Sequence, residues 1–201
     1  MRVIAGSAKG HTLKAPKSTG TRPTSDKVRG AVFAMLDAMG VVGGARVLDL
    51  YAGTGALGVE ALSRGAAWCD FVESDRTACR TIAENLEHTR LGAKAKVHAR
   101  SVEQVLAHPQ TIPPHSPNGV GYDIILLDPP YADAGTGMVL ERLAASPLVR
   151  RDGVVVLEHS KRAAVAEAYG DLHLLKTRRH GDTCISLFHV SAAESAPGHE
   201  A

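Results

Sequence analysis

Aromatic residues are scarce in this 201-residue chain: they make up 4% of it, with a single tryptophan. Long apolar runs are missing too. No stretch of 18 apolar residues occurs, so no membrane-spanning helix is expected. Cysteine is nearly absent. Cys69, Cys79 and Cys184 are odd in number and lack C-x-x-C spacing, which fits neither a disulfide frame nor a zinc site. Cys69 and Cys184 fall in apolar strand-like runs and read as small core residues. The ten histidines include no H-x-x-x-H or other metal-ligand spacing, so no metal is expected. The N-terminus turns polar and basic too soon for a signal peptide, which makes the cytoplasm the expected compartment.

What remains is the balance of a globular protein, 44% apolar and 22% charged, long enough for one α/β domain with a real core. The net charge of +2 is unevenly placed. Residues 1–30 hold seven basic side chains (Arg2, Lys9, Lys14, Lys17, Arg22, Lys27, Arg29) against Asp26 alone, a local +6 that leaves −4 for the rest. Such asymmetry points to an anionic partner for this arm.

Residues 2–15 read as a hairpin around a Ser7-Ala8-Lys9-Gly10 turn, followed by an irregular linker from Pro16 to Pro23. A helix should start at Thr24 or Ser25 and bury Val28, Ala31, Val32, Met35, Leu36 and Met39, with Gly40 ending it. From Arg46 the pattern alternates. Strands are expected at 47–50, 68–73, 96–99, 122–128 and 154–158, and helices at 56–63, 76–91, 102–108 and 138–145. This βαβα order predicts an α/β fold, an open, mostly parallel sheet with helices on both faces. Runs at 172–179 and 184–189 predict a C-terminal antiparallel hairpin. The proline-rich stretch 109–121 reads as a surface loop. The expected organisation is a basic N-terminal hairpin and helix over 1–40, an α/β domain over 41–190, and a disordered tail over 191–201.

Between the first strand and helix lies Asp49-Leu50-Tyr51-Ala52-Gly53-Thr54-Gly55-Ala56-Leu57-Gly58. Gly53, Gly55 and Gly58 match G-x-G-x-x-G in the context that motif requires. Glycines there let the backbone turn sharply and approach a ligand without a Cβ in the way. Glu73, 20 residues beyond Gly53 at the end of the next strand, is placed to hold ribose hydroxyls, as in dinucleotide enzymes and methyltransferases alike. Asp49 separates the two. A carboxylate at the end of the first strand would repel a pyrophosphate but suit the ammonium group of S-adenosylmethionine.

A second motif, Asp128-Pro129-Pro130-Tyr131, follows the apolar run Ile124-Ile125-Leu126-Leu127. Two prolines stiffen the backbone and remove two amide donors. Asp128 and the Pro129 carbonyl can then jointly accept hydrogen bonds from an exocyclic –NH₂ group. This orients a weakly nucleophilic nitrogen toward a methyl donor. Tyr131 can stack on the base, as aromatics do on extruded bases.

The pairing of the two motifs resembles class I (Rossmann-like) amino methyltransferases. With Arg2-Val3-Ile4-Ala5-Gly6 and Arg22-Pro23-Thr24-Ser25-Asp26-Lys27-Val28-Arg29, the chain resembles the RsmD family from residue 1 to about 190. The resemblance implies methylation of guanine N2 in 16S ribosomal RNA, naked or in an assembling small subunit, by a monomer using S-adenosylmethionine. It implies that Asp49, Tyr51, Ala52, Gly53, Thr54, Gly55, Glu73 and Ser74 hold the cofactor. Ser101 and Val102 fall where many class I enzymes carry an acid near adenine. It further implies that Asp128, Pro129, Pro130 and Tyr131 face the base, and that Arg2, Lys9, Lys14, Lys17, Arg22, Thr24, Lys27 and Arg29 face RNA. His180 stands where an aromatic such as Tyr is expected. Three rival functions are weaker. A DNA adenine-N6 methyltransferase would need a target-recognition domain that 201 residues leave no room for. A nicotinamide oxidoreductase leaves Asp128-Pro129-Pro130-Tyr131 idle, and a non-catalytic RNA-binding module leaves both motifs idle.

Overall fold

In a computed structural model, which describes residues 1–15, 25–112, 121–130 and 135–190, the alternating pattern folds as its periodicity demands. The elements are α1 (Asp26–Ala38), β1 (Arg46–Leu50), α2 (Ala56–Ser63), β2 (Trp68–Glu73), α3 (Arg76–His88), β3 (Ala95–Ala99), α4 (Val102–Ala107), β4 (Tyr122–Leu127), α5 (Thr136–Ala144), β5 (Val149–Ser160), β6 (Ala168–Tyr169), β7 (Leu172–His180) and β8 (Thr183–Val190). One eight-stranded sheet runs in the order β3-β2-β1-β4-β5-β8-β7-β6. Its first five strands are parallel. The pairs β5–β8, β8–β7 and β7–β6 are antiparallel, so the C-terminal hairpin is there as expected.

Because strand side chains alternate, each face of the sheet builds its own core. Val47, Phe71, Ile124, Val156 and Ile185 face α1, α2, α3 and the N-terminal segment. Leu48, Val72, Ile125, Leu157 and Phe188 face α4 and α5. The chain crosses from the first face to the second between β3 and β4. The carboxyl ends of β1 and β4 therefore diverge over a crevice, the place where open α/β sheets take ligands.

Residues 1–15 do form a hairpin-like turn, with one antiparallel bridge between Arg2 and Thr12. It is fastened to α2 and α3 by polar groups rather than by a long ladder. The Glu60 carboxylate accepts from the Ile4 and Ala5 amides at 2.8 and 3.0 Å. Ser63 takes the Ala8 amide at 3.0 Å, and its carbonyl takes that of Ser7 at 2.8 Å. Gly6 lies against the α2 backbone so closely that a Cβ there would meet the Ser63 carbonyl oxygen at 1.8 Å.

Helix α1 is capped by Ser25, whose hydroxyl accepts from the Val28 amide, and Gly40 follows it at φ +69°. Its buried stripe is Val28, Arg29, Val32, Phe33 and Leu36. The stripe is rotated from the expected one: Met39 is exposed, and Arg29 and Phe33 are wholly inside. Strand β5 also begins five residues earlier than expected, at Val149. Inside the proline-rich loop, Pro109–Thr111 forms a 3₁₀ turn and Ile112 is buried, so this end of the loop is part of the core. No helix of the described residues is long and apolar enough to cross a membrane. The three cysteines are free, with Cys69 and Cys184 buried as read.

Candidate active site

The glycine loop leaves β1 through three left-handed backbone positions. Gly53 and Gly55 have φ of +55° and +75°, and so does a non-glycine, Tyr51, at +60°. Left-handed backbone at a residue with a side chain stores strain that a fold keeps only where the shape is needed. Gly58 serves packing. A Cβ there would sit 2.3 Å from the Phe71 ring and 2.7 Å from the Cys69 sulfur, so glycine lets α2 lie directly on β2.

Asp49 is buried beneath this loop. Helix α2 starts at Gly55, which offers no side-chain cap. Asp49 supplies one from the strand, as its Oδ2 accepts the Gly58 amide at 2.9 Å. Burial pushes its carboxyl well above the ordinary range. The Gly58 amide opposes that shift, while the negative charges of Asp128 and Glu73 reinforce it. A carboxylate so placed is relieved by a cation. The acid chemistry of the crevice thus fits a ligand with an ammonium group and opposes one with a pyrophosphate.

Glu73 closes the other side of the loop. Its Oε2 accepts the Gly53 amide at 2.9 Å, and its Oε1 the Asp75 amide at 2.8 Å and the Ser74 hydroxyl at 3.4 Å. It is only half-buried, so lone pairs remain for a ribose. Ala52 is buried, its amide given to the Val72 carbonyl at 3.0 Å. Ser101 caps α4 in a reciprocal box with Gln104, and Val102 enters the core beneath α4. The structure thus gives Ser101 a job as a helix cap. The Ser101 hydroxyl, the Glu103 amide, Arg142 and Tyr51 hold Glu103 below the usual carboxylate range.

Asp128 leaves β4 half-buried and is followed by a buried Pro129 and an exposed Pro130. Leu50 pairs with Leu127, so Tyr51 and Asp128 leave the sheet side by side, and Asp49 feels the charge of Asp128. On the far side Leu127 pairs with Leu157, which sets Asp128 beside the buried Glu158. Tyr131 lies outside the described residues, as do Lys17, Arg22 and Thr24. No cluster of metal-binding side chains occurs among the described residues.

The basic arm differs from its sequence reading at Arg29. This residue cannot reach RNA because it is fully buried, paired with Asp26 at 3.0 Å and Glu60 at 3.7 Å, and bonded to the Arg2 carbonyl. Arg2 lies 3.9 Å from Asp26 and Lys14 2.8 Å from Glu84, though both remain exposed. Lys9 and Lys27 are exposed. His180 is half-buried at the end of β7. Its Nε2 is buried and has no hydrogen-bond partner among the described residues.

Sequence reasoning missed Asn85. Buried on α3, its side-chain amide donates to the Lys14 carbonyl at 3.1 Å and to the Thr54 carbonyl at 3.0 Å, while its Oδ1 accepts the Lys14 amide at 2.8 Å. It thus fastens the N-terminal arm and the glycine loop to one point. A polar residue on a helix stripe carries no signal of partners 31 and 71 positions away.

The family model described as Conserved hypothetical protein 95 matches residues 1–189. The Bacillus subtilis protein YlbH is 37% identical over 188 residues, spanning 94% of this chain and 98% of that one. The protein of Haemophilus influenzae named Ribosomal RNA small subunit methyltransferase D is 32% identical over 80% of this chain and 79% of its own length. The Escherichia coli protein of the same name is 37% identical over 65% of this chain and 60% of its own. Among solved structures, YhhF of Escherichia coli superposes with a TM-score of 0.81 at 27% identity, covering 96% of this chain and 99% of that one. A hypothetical protein of Thermus thermophilus gives 0.77 at 32% identity, with coverage of 96% and 99%.

Proposed function

We propose a function that starts from kinship: the chain belongs to the family described as Conserved hypothetical protein 95, the RsmD family of S-adenosylmethionine-dependent rRNA methyltransferases. Its reaction is methyl transfer to the exocyclic N2 amine of a guanine in small-subunit ribosomal RNA, free or in an assembling particle. The relatives whose names specify small-subunit ribosomal RNA support that substrate. The observation that carries the chemistry is the side-by-side exit of Tyr51 and Asp128 from adjacent strands, with Asp49 buried beneath the loop and within reach of the Asp128 charge.

S-adenosylmethionine supplies an electrophilic methyl group on a sulfonium. This chain's residues do the positioning. Asp49 would hold the ammonium end beneath the loop, and Glu73 the ribose hydroxyls. Asp128 and the Pro129 carbonyl accept the two amine hydrogens and so aim the nitrogen lone pair into the crevice. The prolines keep those acceptors fixed without amides of their own to compete. Tyr131 stacks on the guanine. As the nitrogen bonds the methyl carbon, the methyl–sulfur bond breaks and leaves a neutral thioether; the nitrogen gains the positive charge, which Asp128 would stabilise, and the surplus proton then leaves to water.

The reading is tested by incubating small-subunit RNA and particles with methyl-labelled S-adenosylmethionine and identifying the methylated nucleoside. N2-methylguanosine is expected. N6-methyladenosine, or label that never reaches RNA, would overturn it. Asp128→Ala should keep most cofactor affinity and lose most turnover. A near-normal kcat in that variant would remove Asp128 from its role.

A further inference from the structure

The strand β7 carries Lys176, Thr177, Arg178, Arg179 and His180 in succession. The first four are exposed. Beyond Leu172 and His173, which β6 covers, this is the free edge of the sheet among the described residues. No ion pair holds Lys176, Arg178 or Arg179 among the described residues, though the Arg179 Nε–H does donate to the Gly181 carbonyl at 2.9 Å. The nearby acid is Asp182 in the turn, bound to Lys161 at 2.6 Å and held below the usual range chiefly by that residue, with Arg162 and Arg179 contributing. Six cationic or imidazole side chains thus share one end of the hairpin: Lys161, Arg162, Lys176, Arg178, Arg179 and His180.

The topology decides which end. Because β8 is antiparallel to both β5 and β7, β7 runs parallel to β4 and β5. Its carboxyl end and the turn after it therefore lie on the same rim as Asp128. Two strands, β5 and β8, separate β7 from β4. At ~4.8 Å per strand spacing, the basic edge is ~14 Å from the base-holding turn. A stacked strand of nucleic acid rises ~3.4 Å per nucleotide, so that gap corresponds to about four nucleotides.

We propose that this edge is a second RNA-binding surface, separate from the N-terminal arm, which holds backbone phosphates a few nucleotides from the target guanine. The proposal rests on the RNA-substrate reading given above and adds where the substrate strand runs: from the crevice across the ends of β5 and β8 to β7. An edge strand of long cations has unpaired charge and reach, the features of contact with backbone phosphates.

The test is the salt dependence of binding to a labelled single-stranded RNA of about 20 nucleotides, measured by anisotropy with S-adenosylhomocysteine present. In wild-type protein, log K should fall steeply with log salt. The triple variant Lys176→Gln, Arg178→Gln, Arg179→Gln should flatten that slope by about 2, at roughly 0.7 for each lost phosphate contact. Its S-adenosylhomocysteine affinity should be unchanged, which shows that it is folded. Each single variant should flatten the slope by about a third as much. A triple variant that keeps the wild-type slope would overturn the surface, and if it also self-associates, the charges serve only to keep sheet edges apart. A wild-type protein without salt-dependent RNA affinity would overturn the substrate reading and the surface together.

Discussion

Two segments of this chain are rich in cations, and they use them in opposite ways. Residues 1–30 look the more basic, at +6, while 161–182 hold five Lys or Arg against three acids, a net +2 equal to that of the whole chain. Folding narrows the difference among the described residues. In the arm, Arg29 is taken inside by Asp26 and Glu60, and Lys14 finds Glu84. In the hairpin, Lys176, Arg178 and Arg179 stand at an uncovered edge and form no ion pair with Glu167 or Asp171 among the described residues. Charge summed along a sequence measures composition. Charge left after folding measures what a partner meets, and the arm draws carboxylates from α2 and α3 that no local sum includes.

The sharpest way to break this contrast is Glu60→Leu. Glu60 holds two arm amides and the guanidinium groups of Arg29 and Arg64. Removing it leaves Arg29 buried without its nearest interior charge, a loss of about 3–5 kcal/mol. Urea unfolding should show it, whereas the β7 triple variant should change stability by less than about 1 kcal/mol. A loss below about 1 kcal/mol from Glu60→Leu would mean that the arm is not held by its ions.

Asn85→Leu comes next. It leaves the Lys14 amide and the Lys14 and Thr54 carbonyls without their partner, at a cost of about 1–3 kcal/mol for a buried group. Because one of those carbonyls belongs to the glycine loop, S-adenosylmethionine affinity should fall as well, by about tenfold. Stability lost with full cofactor affinity would confine Asn85 to the arm.

Asp49→Asn should split two properties. Cofactor binding should weaken by about 1.5–3 kcal/mol, the scale of a bond to a charged group. The free protein should unfold at a higher temperature. Burial raises the Asp49 pKa in the fold above its unfolded value, so the folded state binds the proton more tightly and stability falls as pH rises from about 4 through the raised value. The amide removes that penalty and keeps an acceptor for Gly58. The same sign means that wild-type cofactor affinity should grow with pH over that window, as proton and ammonium compete. A flat affinity, or a variant less stable than wild type at neutral pH, would disprove the account.

How much of the molecule is legible in its sequence follows from the range of the interactions. The spans of α2 and β2, the parallel order, the hairpin and the juxtaposition of glycine loop and Asp128 turn all follow from periodicity and local turn chemistry. Periodicity places the stripe of α1 about one residue off. The arm meets that helix at Arg29, which bonds the Arg2 carbonyl, and Arg64 lies over the Phe33 ring, contacts with no trace in a helical repeat. Glu60, Asn85 and Asp70 escape notice for the same reason. Each is a polar residue inside an apolar element whose partners arrive from far along the chain: Asp70 accepts from Trp68, from the Tyr122 hydroxyl at 2.8 Å and from His98 at 2.7 Å. Strand β5 reads short because Arg150, Arg151 and Asp152 interrupt its apolar run at the sheet end, where they face solvent.

The smallest expected effect separates how the two segments are fastened. The arm is held by ions, while the hairpin is held by its ladder and a neutral chain from His159 through Ser186 to Thr177, at 2.9 and 2.8 Å. The His159 Nδ1 lies 2.9 Å from the Ser160 carbonyl, which can only accept, so the proton sits on Nδ1 and Nε2 accepts from Ser186. Burial pushes the His159 pKa below its ordinary value, partly offset by that carbonyl. A histidine with a depressed pKa favours the folded state above its unfolded pKa of about 6.5, and that contribution is lost as pH falls through the folded value. Wild-type stability should therefore drop between about pH 7.5 and 5 by more than that of His159→Gln, whose side chain can still donate and accept but does not titrate. The variant with arm ions intact should show an unchanged response to salt. Equal acid sensitivity in the two proteins would show that His159 does not titrate against folding, and would leave the hairpin, like the arm, to be explained by its fixed charges.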